Sequence, residues 1–176
     1  HFEIQSVDMV ILPGGFSYGD YLRTGALAAR TPVMNSVRSL AKYGKGVLGI
    51  CNGFQILTES GLLEGALLRN RDLNFIDRWV ELNKVNNTSF FAKPTPSIIN
   101  LPVAHGEGRF FAPENTLKKL WDNQQVWWTY EEDINGSLDS IAGVMNETKN
   151  VAALMPHPER ALFEWMGGKD GLEFLL

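Results

Sequence analysis

Residues 46–57 read GVLGICNGFQIL, an apolar run that leads into a glycine-flanked cysteine and then a second apolar run. The first run, Gly46–Ile50, predicts a buried strand, and residues 52–57 predict the opening turns of a helix. A nucleophile with glycine two residues before and two residues after it, at a strand-to-helix turn, forms the nucleophile-elbow pattern, here with Cys51 in place of serine. Glycines suit this pattern because so sharp a turn leaves no room for side chains beside the nucleophile.

Cys51 is the only cysteine of the chain, and it has two interpretations. A lone cysteine is most often a small buried hydrophobe. At the start of a helix, however, free N–H groups and the helix dipole favour the thiolate over the thiol. The flanking glycines and the strand-to-helix context favour a reactive cysteine.

The flanking sequence predicts an α/β fold. Residues 7–12 predict a strand before the turn Pro13-Gly14-Gly15, and Thr31 and Pro32 predict a helix start, with Thr31 as its N-cap. Alternating strands and helices predict a mostly parallel sheet with helices on both faces, whose functional residues lie at the carboxyl ends of the strands. The middle of the chain predicts strands with few helices between them, which indicates a small antiparallel extension at 67–70, 75–82, 97–104 and 126–130. Residues 141–146 and 151–155 predict a hairpin.

Composition excludes several classes of function. The chain has 176 residues, as expected for one domain, and a net charge of −4 without a basic block, so nucleic acid is not an expected partner. A single cysteine allows no intramolecular disulfide and fits a reducing cytoplasm, where we expect the protein. No apolar run reaches the roughly 20 residues that span a bilayer. With three histidines, at positions 1, 105 and 157, and no second cysteine, no metal site is expected.

His157 is the best candidate for a base that serves Cys51. It follows a predicted buried strand and lies between Pro156 and Pro158, which stiffen the backbone. Glu159 is two residues further on, on the same side of an extended segment, where it could orient the imidazole. Taken alone, the His-x-Glu pattern is better explained by a surface ion pair. Together with the cysteine elbow it predicts a catalytic triad.

An acyl-transfer site also needs donors for the oxyanion that develops on the substrate. The backbone N–H of Asn52 is one candidate, and that of Gly15, at the end of the neighbouring strand, is another. An ordinary tight turn would equally explain Gly14 and Gly15. Gln55 lies one helical turn beyond Cys51 and could contact substrate.

Four segments together carry a family resemblance: PGGFSYGDYLR at 13–23, GICNGFQIL at 49–57, AHGEGRF at 104–110 and MPHPER at 155–160. They resemble the triad (class I) glutamine amidotransferases and, among these, the glutaminase subunits of phosphoribosylformylglycinamidine synthase. The resemblance implies a flavodoxin-like α/β fold and hydrolysis of glutamine through a cysteine thioester. The ammonia would pass to a synthetase subunit that makes formylglycinamidine ribonucleotide in de novo purine biosynthesis.

The resemblance also assigns roles to residues. Cys51 would be the nucleophile, His157 the acid and base, and Glu159 its orienting partner, while Gly15 and Asn52 would supply the oxyanion hole. The residues implied to hold glutamine are Gln55, Gly106, Glu107 and Gly108. The residues expected to meet the partner are Tyr18, Arg23, His105 and Arg109.

Cofactors and partners follow from the same resemblance. This chain would carry no cofactor, because ATP and Mg²⁺ would bind to the large synthetase subunit, and a small third subunit would complete the complex. Members of this family begin with a further strand and helix. The resemblance therefore implies that residues 1–176 form a single amidotransferase domain that lacks its N-terminal strand-helix unit.

Two other functions remain open at this point. One is a cysteine hydrolase or stress protein of the related superfamily that shares the cysteine elbow. The other is a catalytically idle regulatory subunit, because a fold does not guarantee activity.

Overall fold

The computed structural model describes residues 7–90 and 96–175. The strands found there are β1 (Met9–Leu12), β2 (Gly46–Ile50), β3 (Ala66–Leu68), β4 (Ile76–Lys84), β5 (Ile98–His105), β6 (Arg109–Phe111), β7 (Val126–Tyr130), β8 (Ile141–Met145) and β9 (Val151–Leu154). The α-helices are α1 (Val33–Lys42), α2 (Asn52–Glu59), α3 (Glu114–Asp122) and α4 (Asp170–Leu175).

Seven of these strands form one mixed sheet in the order β1-β2-β9-β8-β7-β4-β5, and β3 and β6 pair as a small antiparallel sheet. The pairings β1–β2 and β2–β9 are parallel. Every further pairing across the sheet is antiparallel. The predicted α/β class is confirmed, as are the hairpin of β8 and β9 and the small antiparallel sheet.

The strand directions bring five carboxyl ends to one edge of the sheet. From β9 the strand direction alternates through β8, β7, β4 and β5, so β7 and β5 run in the same direction as β1, β2 and β9. The chain segments after Leu12, Ile50, Leu154, Tyr130 and His105 therefore leave the sheet at the same edge. This edge is where ligands bind in open α/β sheets.

The core lies along the middle strands of this sheet. All residues of β2, β8 and β9 are buried, as continuous apolar runs predict for strands covered on both faces. Helix α2 packs on β2 at very short range, since a Cβ added at Gly49 would lie 2.7 Å from Leu57 Cδ1. A Cβ at Gly53 would lie 2.0 Å from the carbonyl oxygen of Leu12. The elbow helix is thus seated directly against two parallel strands.

Three predictions about the fold need correction. The sheet is mixed rather than mostly parallel, because the antiparallel extension is large and its strands continue the main sheet. Thr31 is not the N-cap of α1, since its hydroxyl donates a hydrogen bond to the Ala28 carbonyl at 2.7 Å and Pro32 precedes the helix. Strand β6 and helix α4 were not predicted at all. Both are short and depend on contacts made far along the chain.

In the ranges that the structure describes, no helix combines the length and the apolar character that a membrane span requires.

Candidate active site

The cysteine elbow has the backbone strain that its sequence predicts. Cys51 follows β2 and precedes α2 with φ 50° and ψ −105°, a conformation that costs a non-glycine residue about 1–3 kcal/mol. Glycine is needed on both sides, because a Cβ at Gly49 or at Gly53 would collide with the neighbouring helix or strand. The predicted reason for the two glycines is therefore confirmed. The elbow holds the Cys51 side chain at the carboxyl edge of the sheet.

Cys51 is only 6% exposed, and burial raises the pKa of its thiol to about 12. The backbone N–H of Asn52 and the charge of Arg160 lower this pKa, while the charges of Glu159 and Asp20 raise it. The predicted preference for the thiolate is thus wrong for the resting site, because burial outweighs the helix N-terminus. Deprotonation at neutral pH requires a base that takes the proton as the sulfur reacts.

His157 is held so that one ring nitrogen is bound and the other is open. Its backbone N–H donates to the carbonyl of Pro102 at 2.8 Å, which fixes the segment after β9 against β5. Nδ1 lies 2.6 Å from Oε1 of Glu159. An ionised carboxylate only accepts hydrogen bonds, so Nδ1 carries the hydrogen and Nε2 keeps its lone pair. Nε2 is buried and has no hydrogen-bond partner in the described part of the chain.

Cys51 and His157 both lie next to Gly14. A Cβ added at Gly14 would lie 2.7 Å from Cε1 of His157 and 3.5 Å from Cβ of Cys51. Both side chains also line one cavity of about 220 Å³ at the carboxyl edge of the sheet. Glu159 stands behind the imidazole, on the side away from the open nitrogen. The three residues of the predicted triad therefore meet at one place.

The two predicted oxyanion residues belong to the same region as the thiol. Gly15 lines the cavity, and its φ of +141° is a backbone conformation that favours glycine. The backbone N–H of Asn52 is directed to the Cys51 sulfur. The Asn52 side chain is buried and fully engaged: it donates to Oε1 of Gln55 at 2.8 Å and accepts from the Ser17 N–H at 3.3 Å.

Three of the four predicted substrate residues lie on the cavity wall, namely Gln55, Gly106 and Glu107. Gln55 donates from Nε2 to the Glu107 carbonyl at 2.6 Å, so it also joins α2 to the segment after β5. Gly108 is not among the residues that line the cavity. A Cβ there would lie 2.4 Å from the ring of His105, so Gly108 makes room for that histidine.

His105 was predicted to meet a partner, but the structure places it inside. It is 3% exposed and lines the cavity, because β5 carries it to the same edge as His157. Burial, and then the charge of His157, lower its pKa to about 4. Tyr18 is exposed, as predicted. Arg23 is exposed and paired with Glu59 at 2.7 Å, and Arg109 donates from Nε to the Arg69 carbonyl at 3.0 Å.

Several residues of the site were missed from the sequence. Asp20, Thr24, Phe75 and Arg160 also line the cavity. Asn70 holds a residue of the cavity wall in place: its Oδ1 lies 3.2 Å from Nδ1 of His105 and accepts the Gly108 N–H at 3.2 Å. Asp20 lies in the segment 13–23 that carries the family resemblance, and Thr24 follows it directly, so the sequence offered a signal for both. Nothing in the sequence around Asn70 indicates its contact with His105.

In residues 7–90 and 96–175, no group of three or more His, Cys, Asp or Glu side chains is placed to hold a metal ion.

Comparison with known proteins identifies the family. The model of the CobB/CobQ-like glutamine amidotransferase domain matches residues 1–169. A chain in the structure of PurLQS from Thermotoga maritima is 47% identical, with a TM-score of 0.88 over 97% of this chain and 78% of that chain. The resemblance inferred from the four segments is thereby confirmed.

More distant structures share the fold alone. A glutamine amidotransferase from Thermotoga maritima is 21% identical, with a TM-score of 0.56 over 88% of this chain and 57% of that chain. The glutaminase domain of Trypanosoma brucei CTPS with bound acivicin is 15% identical, with a TM-score of 0.57 over 96% and 69% of the two chains. The class I amidotransferase-like fold is confirmed, and the match over residues 1–169 shows that the chain belongs to the CobB/CobQ-like glutamine amidotransferase family.

Proposed function

We propose that this chain hydrolyses glutamine to glutamate and ammonia, with Cys51, His157 and Glu159 as its catalytic triad. The observation that carries the proposal is that the strained cysteine and a carboxylate-bound histidine, whose Nε2 has no partner in the described residues, line one cavity. Membership of a glutamine amidotransferase family points to the side-chain amide of glutamine as the substrate. It also leaves the cysteine-hydrolase interpretation without support.

In the first half of the reaction, Nε2 of His157 takes the proton from the Cys51 thiol as the sulfur attacks the amide carbon of glutamine. The N–H groups of Gly15 and Asn52 donate to the oxyanion of the tetrahedral intermediate. Glu159 accepts from Nδ1–H and stabilises the imidazolium that forms. His157 then gives its proton to the amide nitrogen, which leaves as ammonia, and the carbon–sulfur bond remains as a γ-glutamyl thioester.

In the second half, a water molecule replaces ammonia beside His157. Nε2 takes one proton of this water as its oxygen attacks the thioester carbon, again with the oxyanion facing Gly15 and Asn52. The carbon–sulfur bond breaks and the proton returns to the sulfur. Glutamine and one water are consumed, glutamate and ammonia are released, and Cys51 is again a thiol.

We further propose that the ammonia is delivered to a synthetase subunit of phosphoribosylformylglycinamidine synthase. The 47% identical relative is part of a structure described as PurLQS, which supports an assembly of this kind. ATP and Mg²⁺ would bind to the synthetase subunit, and a small third subunit would complete the complex. This chain would hold no cofactor of its own.

A candidate docking surface lies at the mouth of the cavity. The segment 16–23 exposes Phe16, Tyr18, Tyr21 and Leu22, each of which is more than half exposed, and Arg23 follows them. Exposed apolar side chains clustered in this way are typical of protein–protein contacts. Since Phe16 and Asp20 of the same segment also line the cavity, a partner bound here would touch the wall of the active site.

Cys51→Ala tests the proposed function. Glutamine-dependent turnover of the assembled complex should fall to background, because no other described residue can form the thioester. Synthesis supplied with ammonia instead of glutamine should persist, which shows that the variant folds and still binds its partner. The measurement is glutamate release and amidine product formation with each nitrogen source.

Two results would contradict the proposal. Glutamine turnover that survives Cys51→Ala would exclude Cys51 as the nucleophile. A wild-type chain that neither turns over glutamine nor is labelled on Cys51 by a glutamine-like electrophile, even with its synthetase present, would instead establish an idle regulatory subunit.

A further inference from the structure

The wall of the cavity carries a carboxylate that the proposed chemistry does not use. Asp20 lines the same cavity as Cys51, and its Oδ1 is buried without a hydrogen-bond partner in the described residues. Its backbone has a positive φ of 53°. Burial and then the charge of Glu107 raise the pKa of Asp20. A buried acceptor left without a donor is costly, which indicates that something absent from this chain satisfies it.

The neighbouring carboxylate on the wall, Glu107, differs from Asp20 because its oxygens have partners. Oε2 of Glu107 accepts from the Thr24 hydroxyl at 2.8 Å, and Oε1 faces Nε of Arg69 at 3.4 Å. Both Glu107 oxygens are therefore engaged, but its charge still acts on Asp20. The two carboxylates make this part of the wall negative, and a ligand that lies against it should bring a cationic donor.

His105 independently indicates a ligand at the same wall. It is buried and lines the cavity, and Nδ1 faces Oδ1 of Asn70 at 3.2 Å. The Asn70 amide nitrogen donates to the carbonyls of His105 and Asn74, so its oxygen is the atom that faces the ring. Nδ1 therefore carries the hydrogen, and Nε2 is a buried acceptor without a partner in the described ranges. The cavity thus offers a second open acceptor besides Asp20.

Arg160 supplies the opposite charge at this site. It lines the cavity too, and its Nε forms an ion pair with Oε1 of Glu159 at 3.9 Å, which is too long for a hydrogen bond. The site thus offers an open carboxylate, an open imidazole nitrogen and a guanidinium around one thiol. This combination matches the charged head of a free α-amino acid, which has one ammonium and one carboxylate group.

We propose that Asp20 binds the α-ammonium group of glutamine and that Arg160 faces its α-carboxylate, so that only a free amino acid is held with its side-chain amide at Cys51. This inference rests on the proposed function, and it names what selects the substrate of that site. Asp20 would be a specificity residue for the head of the substrate, whereas His157 acts on its amide.

Asp20→Asn tests this role with two substrates. Glutaramate (5-amino-5-oxopentanoate) has the amide and carboxylate of glutamine but no α-ammonium group. In the complex, the variant should lose about 10- to 100-fold in kcat/KM for glutamine, as expected for one hydrogen bond to a charged group. Its kcat/KM for glutaramate should stay within about 3-fold of the wild-type value, because the lost contact is absent from that substrate.

The variant is suited to the test because it should fold. Asparagine tolerates a positive φ at least as well as aspartate does, and no described partner of Oδ1 is lost. The charge of Asp20 raises the pKa of Cys51, so its removal should leave alkylation of Cys51 by iodoacetamide no slower than in the wild type. Asp122→Asn, which removes an exposed carboxylate on α3, serves as the matched control. It should leave kcat/KM unchanged for both substrates.

The outcomes separate this inference from the proposed function. A fall in the preference for glutamine over glutaramate in Asp20→Asn would support it. An active wild-type enzyme whose variant keeps the full preference would overturn the inference alone. A wild-type complex that hydrolyses neither compound would overturn the proposed function and this inference with it.

Discussion

Two histidine segments face the same cavity, 104–109 after β5 and 155–160 after β9, and they differ in one chemical group. In both, the imidazole is buried, Nδ1 is held by a side-chain oxygen, and Nε2 has no partner among the described residues. The oxygen that holds His157 belongs to the carboxylate of Glu159. The oxygen that holds His105 belongs to the neutral amide of Asn70. The geometry is shared, and the charge behind the ring differs.

This difference separates the possible roles of the two rings. A carboxylate behind the ring stabilises the imidazolium that a proton acceptor must become. An amide behind the ring fixes the same tautomer but adds no charge. Burial then lowers the pKa of His105 to about 4, and the nearby His157 adds to this effect. His105 is therefore a neutral acceptor at working pH, and only His157 is suited to carry protons.

Glu159→Gln should break the comparison most severely, because it gives His157 an amide partner like that of His105. We expect kcat for glutamine to fall by at least about 100-fold, the range of a lost general base. KM should change little, since Glu159 does not line the cavity. Steady-state glutamate release measures both constants. A variant with unchanged kcat would mean that the carboxylate is dispensable and that the two histidines are not distinguished by their partners.

Each histidine ring also lies close to a glycine, and substitution of these two glycines offers a matched test. An alanine Cβ at position 14 would lie 2.7 Å from Cε1 of His157, and one at position 108 would lie 2.4 Å from the ring of His105. Gly14→Ala should displace the base and lower kcat by about 10- to 100-fold. Gly108→Ala should mainly destabilise the fold, by about 1–3 kcal/mol from overpacking.

The two glycine variants are compared by kcat and by the urea midpoint of unfolding. If kcat fell more in Gly108→Ala than in Gly14→Ala, His105 and not His157 would be the ring that carries protons.

The smallest effect concerns the pH dependence of stability. His105 has a pKa of about 4 when folded and about 6.5 when unfolded, so between these values only the unfolded state takes up the proton. Stability is therefore complete above pH 6.5 and falls as the pH drops toward 4, by up to about 3 kcal/mol from this residue. His105→Gln should remove this part of the slope. Urea unfolding of both proteins at pH 7, 5.5 and 4.5 measures it, and parallel curves would mean that His105 does not titrate as a buried group.

The sequence was a good guide wherever the cause of the structure is local. The apolar runs and flanking glycines around Cys51 predicted β2, α2 and the elbow, because strain at a turn and burial of a short strand depend on neighbouring residues. Pro156 to Glu159 likewise predicted the His157–Glu159 contact, since the two residues are only two positions apart. The site could be anticipated to this extent without any structure.

The sequence was a poor guide wherever the cause is a distant pairing. The segment HGEGR resembles a solvated turn, and His105 is buried only because β5 pairs with β4 and ends at the same edge as β9. Asn70 reaches His105 across 35 positions of sequence. Helix α4 contains Gly171, which disfavours a helix, but a Cβ there would lie 1.9 Å from the carbonyl oxygen of Pro158. Close packing against a distant segment decides that position, and local propensity does not.

The contact between α4 and Pro158 has a practical consequence. The same short helix places Phe174 against Trp127 and Trp128, with ring centroids 5.3 and 6.1 Å apart. One face of α4 therefore supports the turn that carries His157 and Glu159, while another touches two buried indoles. Tryptophan emission should report whether this support is in place. It gives an intrinsic optical signal for the integrity of the catalytic turn that needs no substrate and no added label.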